Sequence, residues 1–417
     1  MNIFFIVILA ALVGQSVLAI VSGLLNARAF SPTVPAEFSA VFDDERYARA
    51  QRYAMTRARF RAVRATVDLA ILLAFWFAGG FAWLDQAVRT LGYGPVVTGL
   101  LYIGSLGLAS AVLALPFRVY STFVIEARFE FNRTTPATFA ADLVKGLALT
   151  MLLGGPLLAV VLAFFAWAGP LAWLWCWIAA AASILAVQFI APTWIMPLFN
   201  TFTPVTSGDL HDAVVQCARD ARFPLRGIFV VDGSRRSSKA NAFFTGFGRN
   251  KRIGLYDTLV ADYSVPELVA VVAHEIGHYR RGHIRRGLAL SIGYLGATLW
   301  ILSFFLEREA LFAAFGVSEP SVYAGLVFFS LLFAPIDLAL SLFVNRFSRK
   351  HEFEADRFAA ETTGGSEPLI AALKKLSADT LTNLTPHPLA VALEYSHPPV
   401  LQRIDALRRA ATATLSS

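Results

Sequence analysis

The chain has 417 residues, 56% hydrophobic and 16% charged, with a positive mean hydropathy, whereas an average soluble domain is about 25% charged. That balance argues against an ordinary soluble protein and for a polytopic membrane protein with room for a small soluble domain. The net charge of +7 raises nucleic acid as a partner, but the arginines flank apolar runs and read as a topology signal, so the expected partners include the lipid bilayer and no nucleic acid. Cys176 and Cys217 lack C-x-x-C spacing, which disfavours a cysteine metal site or a disulfide framework.

Seven stretches approach the length that a bilayer core requires: residues 3–24, 66–84, 96–116, 147–168, 171–193, 287–306 and 322–344. The first has no basic n-region and no clear small-residue cleavage site, so it reads as a span rather than a signal peptide. The segment 25–65 carries eight arginines from Arg28 to Arg64, and 117–146, 194–286 and the C-terminal tail are also basic. The alternate loops 85–95, 169–170 and 307–321 contain only Arg89 and Arg308. The positive-inside rule then places the N-terminus outside and the segment 194–286 in the cytoplasm.

The domain plan that follows has four parts. Residues 1–193 hold five spans with basic loops, 194–286 form a soluble insertion, 287–344 hold two spans, and 345–417 are a tail that completes the site. Within the insertion, Leu210 to Arg222 is expected as a helix, with strands at Gly227–Asp232, Asn241–Phe247 and Arg252–Tyr256. Ser264 and Glu267 form a capping-box pattern that starts a further helix, with Leu268, Val271 and Val272 facing the sheet. The last span should continue as a helix to about Thr362 and end at Gly364-Gly365, before a new helix begins at Ser366. Pro386-His387-Pro388 and Tyr395-Ser-His-Pro-Pro399 are rigid turns leading to a short amphipathic helix.

The helix after Ser264 carries His274-Glu275-Ile276-Gly277-His278, an H-E-x-x-H motif. Two histidines four apart turn through about 400° and share a face, so both can reach one metal ion while Glu275 handles a water beside it. This is zinc-peptidase chemistry with Glu275 as general base. The competing reading is an amphipathic helix with two solvated histidines. A catalytic zinc site wants three protein ligands. In the longer H-E-x-x-H-x-x-G-x-x-H pattern, glycine and histidine would fall where this chain has Arg281 and Ile284. His283 misses that register by one and is expected behind the ligands or on the surface. A second helix offers Glu352 as ligand, with Asp356 on the same face to orient a histidine and Glu354 pointing away. Against it stands a charged helix leaving the membrane, and the choice rests on a family likeness.

The chain resembles the integral-membrane CAAX prenyl proteases, seven-span zinc metallopeptidases of the gluzincin type. The matching stretches are Leu115–Arg118, Tyr120–Glu126, Phe131-Asn132, Ser238–Gly246, His274–His278, Glu352–Asp356, Tyr395–Pro399 and Arg403-Ile404. The resemblance implies a mainly α fold in which seven transmembrane helices enclose a water-filled chamber, with a small α/β zinc peptidase domain on the cytoplasmic side. It implies one Zn2+ per chain on His274, His278 and Glu352. It also implies an edge strand at Asn241, Ala242 and Phe243 that pairs with substrate backbone, and His397 and Arg403 near the zinc contacting substrate or stabilising the oxyanion.

The expected function is membrane-integral zinc endopeptidase, with the family activity of removing the C-terminal tripeptide from prenylated CAAX proteins. A broad-specificity membrane quality-control protease shares the zinc residues but usually has fewer spans. A metal transporter would place ionisable groups at mid-membrane depth, and here they lie just beyond the spans. The chain ends without a dilysine retrieval signal and is rich in Ala and Arg, which favours a bacterial inner membrane. There the polypeptide substrate need not be prenylated. Asn132-Arg-Thr134 and Asn383-Leu-Thr385 match the glycosylation pattern by chance, since both fall on the cytoplasmic side.

Overall fold

The computed structural model describes residues 2–246 and 251–415, with side chains described up to residue 412. Among the described residues, five helices are long and apolar enough to cross a membrane: Ile3–Arg28, Pro95–Glu126, Pro136–Trp167, Gly169–Phe199 and Val322–Thr363. A sixth span is bent, with Asp44–Phe77 and Gly80–Arg89 meeting at 62° around Gly79 in a left-handed conformation. The remaining expected stretch, 287–306, folds as the helix His283–Ser303. His283, Arg285 and Arg286 in its first turn and Gly287, Gly293 and Gly296 along it dilute its apolar character, so it falls outside the apolar set. The helix order matches the seven-span expectation, while composition alone certifies five to six.

The spans do not pack as a solid bundle. No residue is buried between Ile8 and Ser22, Ala58 and Trp76, Tyr102 and Ile125, Phe131 and Leu162, Cys176 and Pro192, His283 and Gly296, or Phe333 and Glu352. Each helix therefore has a middle section whose residues are only half-buried or exposed, and close packing is sparse at that depth. Packing is concentrated at the two ends. At the end away from the soluble domain, Ile8, Trp76, Phe81, Tyr102, Leu162, Phe315 and Phe328 form a cluster, with Trp76 Nε1 donating to the Ala314 carbonyl at 2.8 Å.

At the other end the loops and tail fold into one soluble domain. Its sheet comprises β1 (Phe202–Val205), β2 (Leu225–Val231), β3 (Ala242–Thr245) and β4 (Lys251–Tyr256), in the order β1-β2-β4-β3. β2 and β4 run parallel, and the outer strands are antiparallel to their neighbours. β1 escapes a sequence reading because it is four residues long and contains Pro204, which only an edge strand tolerates. The expected strand Asn241–Phe247 is shorter than anticipated, and Phe247 lies outside the described residues. The helix Asp209–Asp220 matches its expected position.

Membrane-proximal segments complete this domain's core. Phe38, Tyr47, Tyr53, Phe129 and Phe131 are buried with Val214, Leu255, Leu268 and Ile276. Lys239 Nζ donates to Glu126 Oε2 at 2.9 Å, joining the sheet region to the end of the Pro95–Glu126 span. Glu37 accepts from both Lys374 and Arg408, so it ties the segment after the first span to the helices Glu367–Asp379 and Val400–Leu415.

Burial raises the Glu37 pKa, but the hydrogen bonds and charges of Lys374 and Arg408 outweigh it and hold the carboxyl below its ordinary value of 4.5. A depressed carboxylate contributes stability above its unfolded pKa and loses it as the pH falls through the folded one. Glu37→Gln is therefore expected to lower the thermal midpoint of detergent-solubilised protein at pH 7. The gap to the parent should close on acidification below about pH 4. Equal midpoints at pH 7 would remove Glu37 as a clasp.

Candidate metal centre and peptidase site

The helix Val265–Arg280 begins at a capping box in which the Ser264 N–H donates to Glu267 Oε2 at 2.7 Å. Lys375 Nζ donates to the same oxygen at 2.8 Å, so the start of this helix is fixed from two sides. Leu268, Val272 and Ile276 face the core. The helix Val322–Thr363 crosses it, and the contact is made at Gly277. A Cβ there would lie 3.1 Å from both the Cα and the carbonyl oxygen of Ala355. Glycine lets the two backbones approach, and that approach carries Glu352 to the histidines.

The three potential ligand atoms of His274, His278 and Glu352 lie within 4.8 Å of one another. His274 Nε2 is 3.1 Å from His278 Nε2 and 3.5 Å from Glu352 Oε2, while His278 Nε2 is 3.3 Å from Glu352 Oε1. Behind His274, its Nδ1 lies 2.9 Å from Asp356 Oδ1. An ionised carboxylate only accepts, so Nδ1 carries the proton and Nε2 presents a lone pair. Glu352 Oε2 is buried and has no hydrogen-bond partner among the described residues. Converging lone pairs and an orphaned carboxylate oxygen fit a cation between them. Burial lowers the His274 pKa, yet Asp356 and Glu352 outweigh it and raise it to about 9, so the pocket favours positive charge.

Arg403 is buried and donates to both oxygens of Asp356, from Nε at 2.8 Å and from Nη2 at 2.6 Å. Its Nη1 lies 3.5 Å from Glu352 Oε2. The guanidinium is thus engaged behind the ligand shell. His397 differs: its side chain is 64% exposed, with Nε2 at 3.4 Å from Glu352 Oε1 and Nδ1 at 2.9 Å from Ser396 Oγ. It stands at the mouth of the site.

A cavity of about 170 Å3 opens beside these groups, lined by His274, Glu275, Glu352, His397 and Arg403 on one side. Leu259, Val271, Leu369, Ala372, Leu373 and Leu376 make its apolar wall, and Asn241 and Ala242 its rim. β3 is an edge strand of the sheet, so Asn241 and Ala242 stand where an extended chain can pair. Phe243 does not line this cavity; its ring covers Gly254 on β4, where a Cβ would meet it at 2.6 Å. Burial, the first cause, raises the Glu275 pKa against the opposing charges of His274 and His278.

The structure also joins residues that spacing kept apart. His283 Nδ1 lies 3.1 Å from His278 Nδ1, and His283 Nε2 lies 3.0 Å from Glu354 Oε2. Glu354, expected to point away, points away from the ligand atoms but meets His283. The turn at Gly282, with φ of 72°, reverses the chain and brings His283 back under the motif helix. A histidine five positions beyond another gives no such signal on a helical wheel; only a glycine at 282 hints at the break.

Family models match residues 24–201, as the N-terminal region of CAAX prenyl proteases with five membrane helices, and residues 204–411, as peptidase family M48. The chain belongs to peptidase family M48. Among relatives of this M48 peptidase, the CAAX prenyl protease 1 homolog of Arabidopsis thaliana is 35% identical over 90% of both chains. CAAX prenyl protease 1 of Saccharomyces cerevisiae is 33% identical over 88% of this chain and 86% of its own. The fold is similar to the crystal structure of S. mikatae Ste24p, with a TM-score of 0.89 and 30% identity over 98% of this chain and 99% of that one. Family M48 makes the protein a membrane-integral metallopeptidase that acts on polypeptide.

Gly277→Ala tests the helix contact. The methyl must displace the Ala355 backbone, which costs about 1–3 kcal/mol of overpacking, partly offset by about 1 kcal/mol of helix propensity. The expected result is faster metal loss to a chelator with unchanged helix content by circular dichroism. Parent-like metal retention would show that the helices close without a bare glycine.

Proposed function

We propose that this M48 peptidase is a zinc endopeptidase whose site faces the cytoplasm and whose substrates include prenylated CAAX polypeptides, from which it removes the C-terminal tripeptide. The observation that carries the reading is the His274–His278–Glu352 cluster with Glu275 beside it, opening on a cavity rimmed by an edge strand. The substrate class comes from the relatives' names together with the apolar wall, which suits an aliphatic side chain next to the scissile bond. The arginine-rich segments 25–65 and 117–146 on the same side as the soluble domain support the cytoplasmic orientation. The Ala- and Arg-rich composition favours a bacterial inner membrane as the setting.

His274, His278 and Glu352 would hold one zinc ion. When bound, the ion supplies Lewis acidity, polarising the scissile carbonyl and acidifying a water. Glu275, half-buried and with its pKa raised by desolvation, takes the proton of the attacking water and delivers it to the leaving amine. The outer edge of β3 at Asn241 and Ala242 pairs with the substrate backbone, so that the bond lies over Glu275. Phe243 serves through its backbone and by packing over Gly254. His397, exposed at the mouth, donates to the developing oxyanion. Arg403 acts by holding Asp356, which in turn holds His274.

Glu275→Gln is expected to keep full metal content while cleavage falls by at least about 100-fold, the usual scale of lost general-base catalysis. Zinc-dependent turnover persisting in that variant would sink the assignment. Glu352→Ala is expected to lose the metal, as read by elemental analysis of purified protein. The substrate class is read with a farnesylated CAAX peptide against its unprenylated counterpart. Preference for the farnesylated peptide supports the proposal, and equal cleavage of both replaces it with the broad-specificity reading.

A further inference from the structure

The two histidines of the motif are backed by different groups. His274 rests on Asp356, and the helix Val322–Thr363 supplies that carboxylate directly. His278 has no carboxylate at its Nδ1; among the described residues its partner there is another imidazole, His283, at 3.1 Å. His283 is buried, and its far nitrogen meets Glu354 at 3.0 Å. The ring of His351 stacks on His283 at 4.0 Å with 10° between planes, which fixes its orientation.

With Glu354 ionised and His283 neutral, the hydrogen bonds along this row have one consistent direction. Ionised Glu354 only accepts, so His283 Nε2 carries a proton and donates it. Neutral His283 then has a bare Nδ1, which accepts. His278 Nδ1 must therefore be the donor, and His278 Nε2 is left as a lone pair facing His274 Nε2 and Glu352. With a neutral His283, the reverse direction would require Glu354 to donate. We infer that His283, held by Glu354, is the positioning residue for His278: it sets the ring's tautomer and aims Nε2 at the metal, as Asp356 does for His274. The carboxylate acts at one remove because the turn at Gly282 leaves room for an imidazole between Glu354 and His278.

The inference rests on the proposed metal role of His278, and the test separates the two. The full-length protein in detergent is stripped, and Zn2+ affinity is measured by competition with a chromophoric chelator, beside the visible spectrum of the Co2+ form. His283→Leu is expected to weaken Zn2+ binding by about 10–100-fold, the usual cost of losing such a partner. His283→Gln is expected to stay within about 3-fold, because its amide can accept from His278 and donate to Glu354. Glu354→Leu, at a half-buried position outside the ligand set, is expected to give an intermediate loss and a shifted Co2+ spectrum. Parent-like affinity and spectrum in Glu354→Leu and His283→Leu would overturn the inference, and Glu354→Leu alone suffices if His283→Leu fails to fold. A parent protein that binds no Zn2+ would instead refute the metal reading of His278.

Discussion

The close crossing of Val265–Arg280 and Val322–Thr363 at Gly277 and Ala355 is the contact on which the site depends. Every group that faces the metal position comes from one of these two helices or is held against them. A bulkier residue at 277 would move Glu352 away from histidines whose own spacing is set by the helical turn. The constraint is one of backbone distance, which no rearrangement of side chains can restore. It also links the soluble domain to the membrane, because the second helix runs on to Phe328 and Phe333 in the far cores.

That link matters because the middle of the molecule offers little packing. Lipid tails are as apolar as the helix surfaces they cover, so spans gain little by association unless they interlock. Here the fully buried contacts lie at both ends, and the middle sections are only half-buried or exposed. The aromatic cluster around Phe315 and Phe328 anchors one end, and the peptidase core anchors the other. The soluble domain thus packs against one end of the helices, and the aromatic cluster joins them at the other.

The electrostatics follow the same economy. Burying Glu352 and Asp356 together is costly unless positive charge accompanies them. Arg403 provides one positive group, bidentate on Asp356, and the cluster of lone pairs leaves a place for a second. A histidine raised to about 9 by these carboxylates reports the same demand. His397 stays outside this network at the solvent-facing rim, where a group that meets substrate has to be.

Much of this was legible in the order of residues. Apolar runs located the helices, and the four-residue spacing of His274 and His278 placed both on one face, since helical geometry is local. The capping pattern at Ser264 and Glu267 marked where their helix starts, and Gly364 marked where its neighbour ends. Glu352 was reached through family likeness rather than spacing, because nothing local measures a distance between two helices. The mixed sheet's edge strand β1, the contact between His283 and Glu354 and the Phe243 ring turned from the cavity belong to the tertiary structure alone. Each depends on how segments far apart in the chain meet, and periodicity carries no record of that.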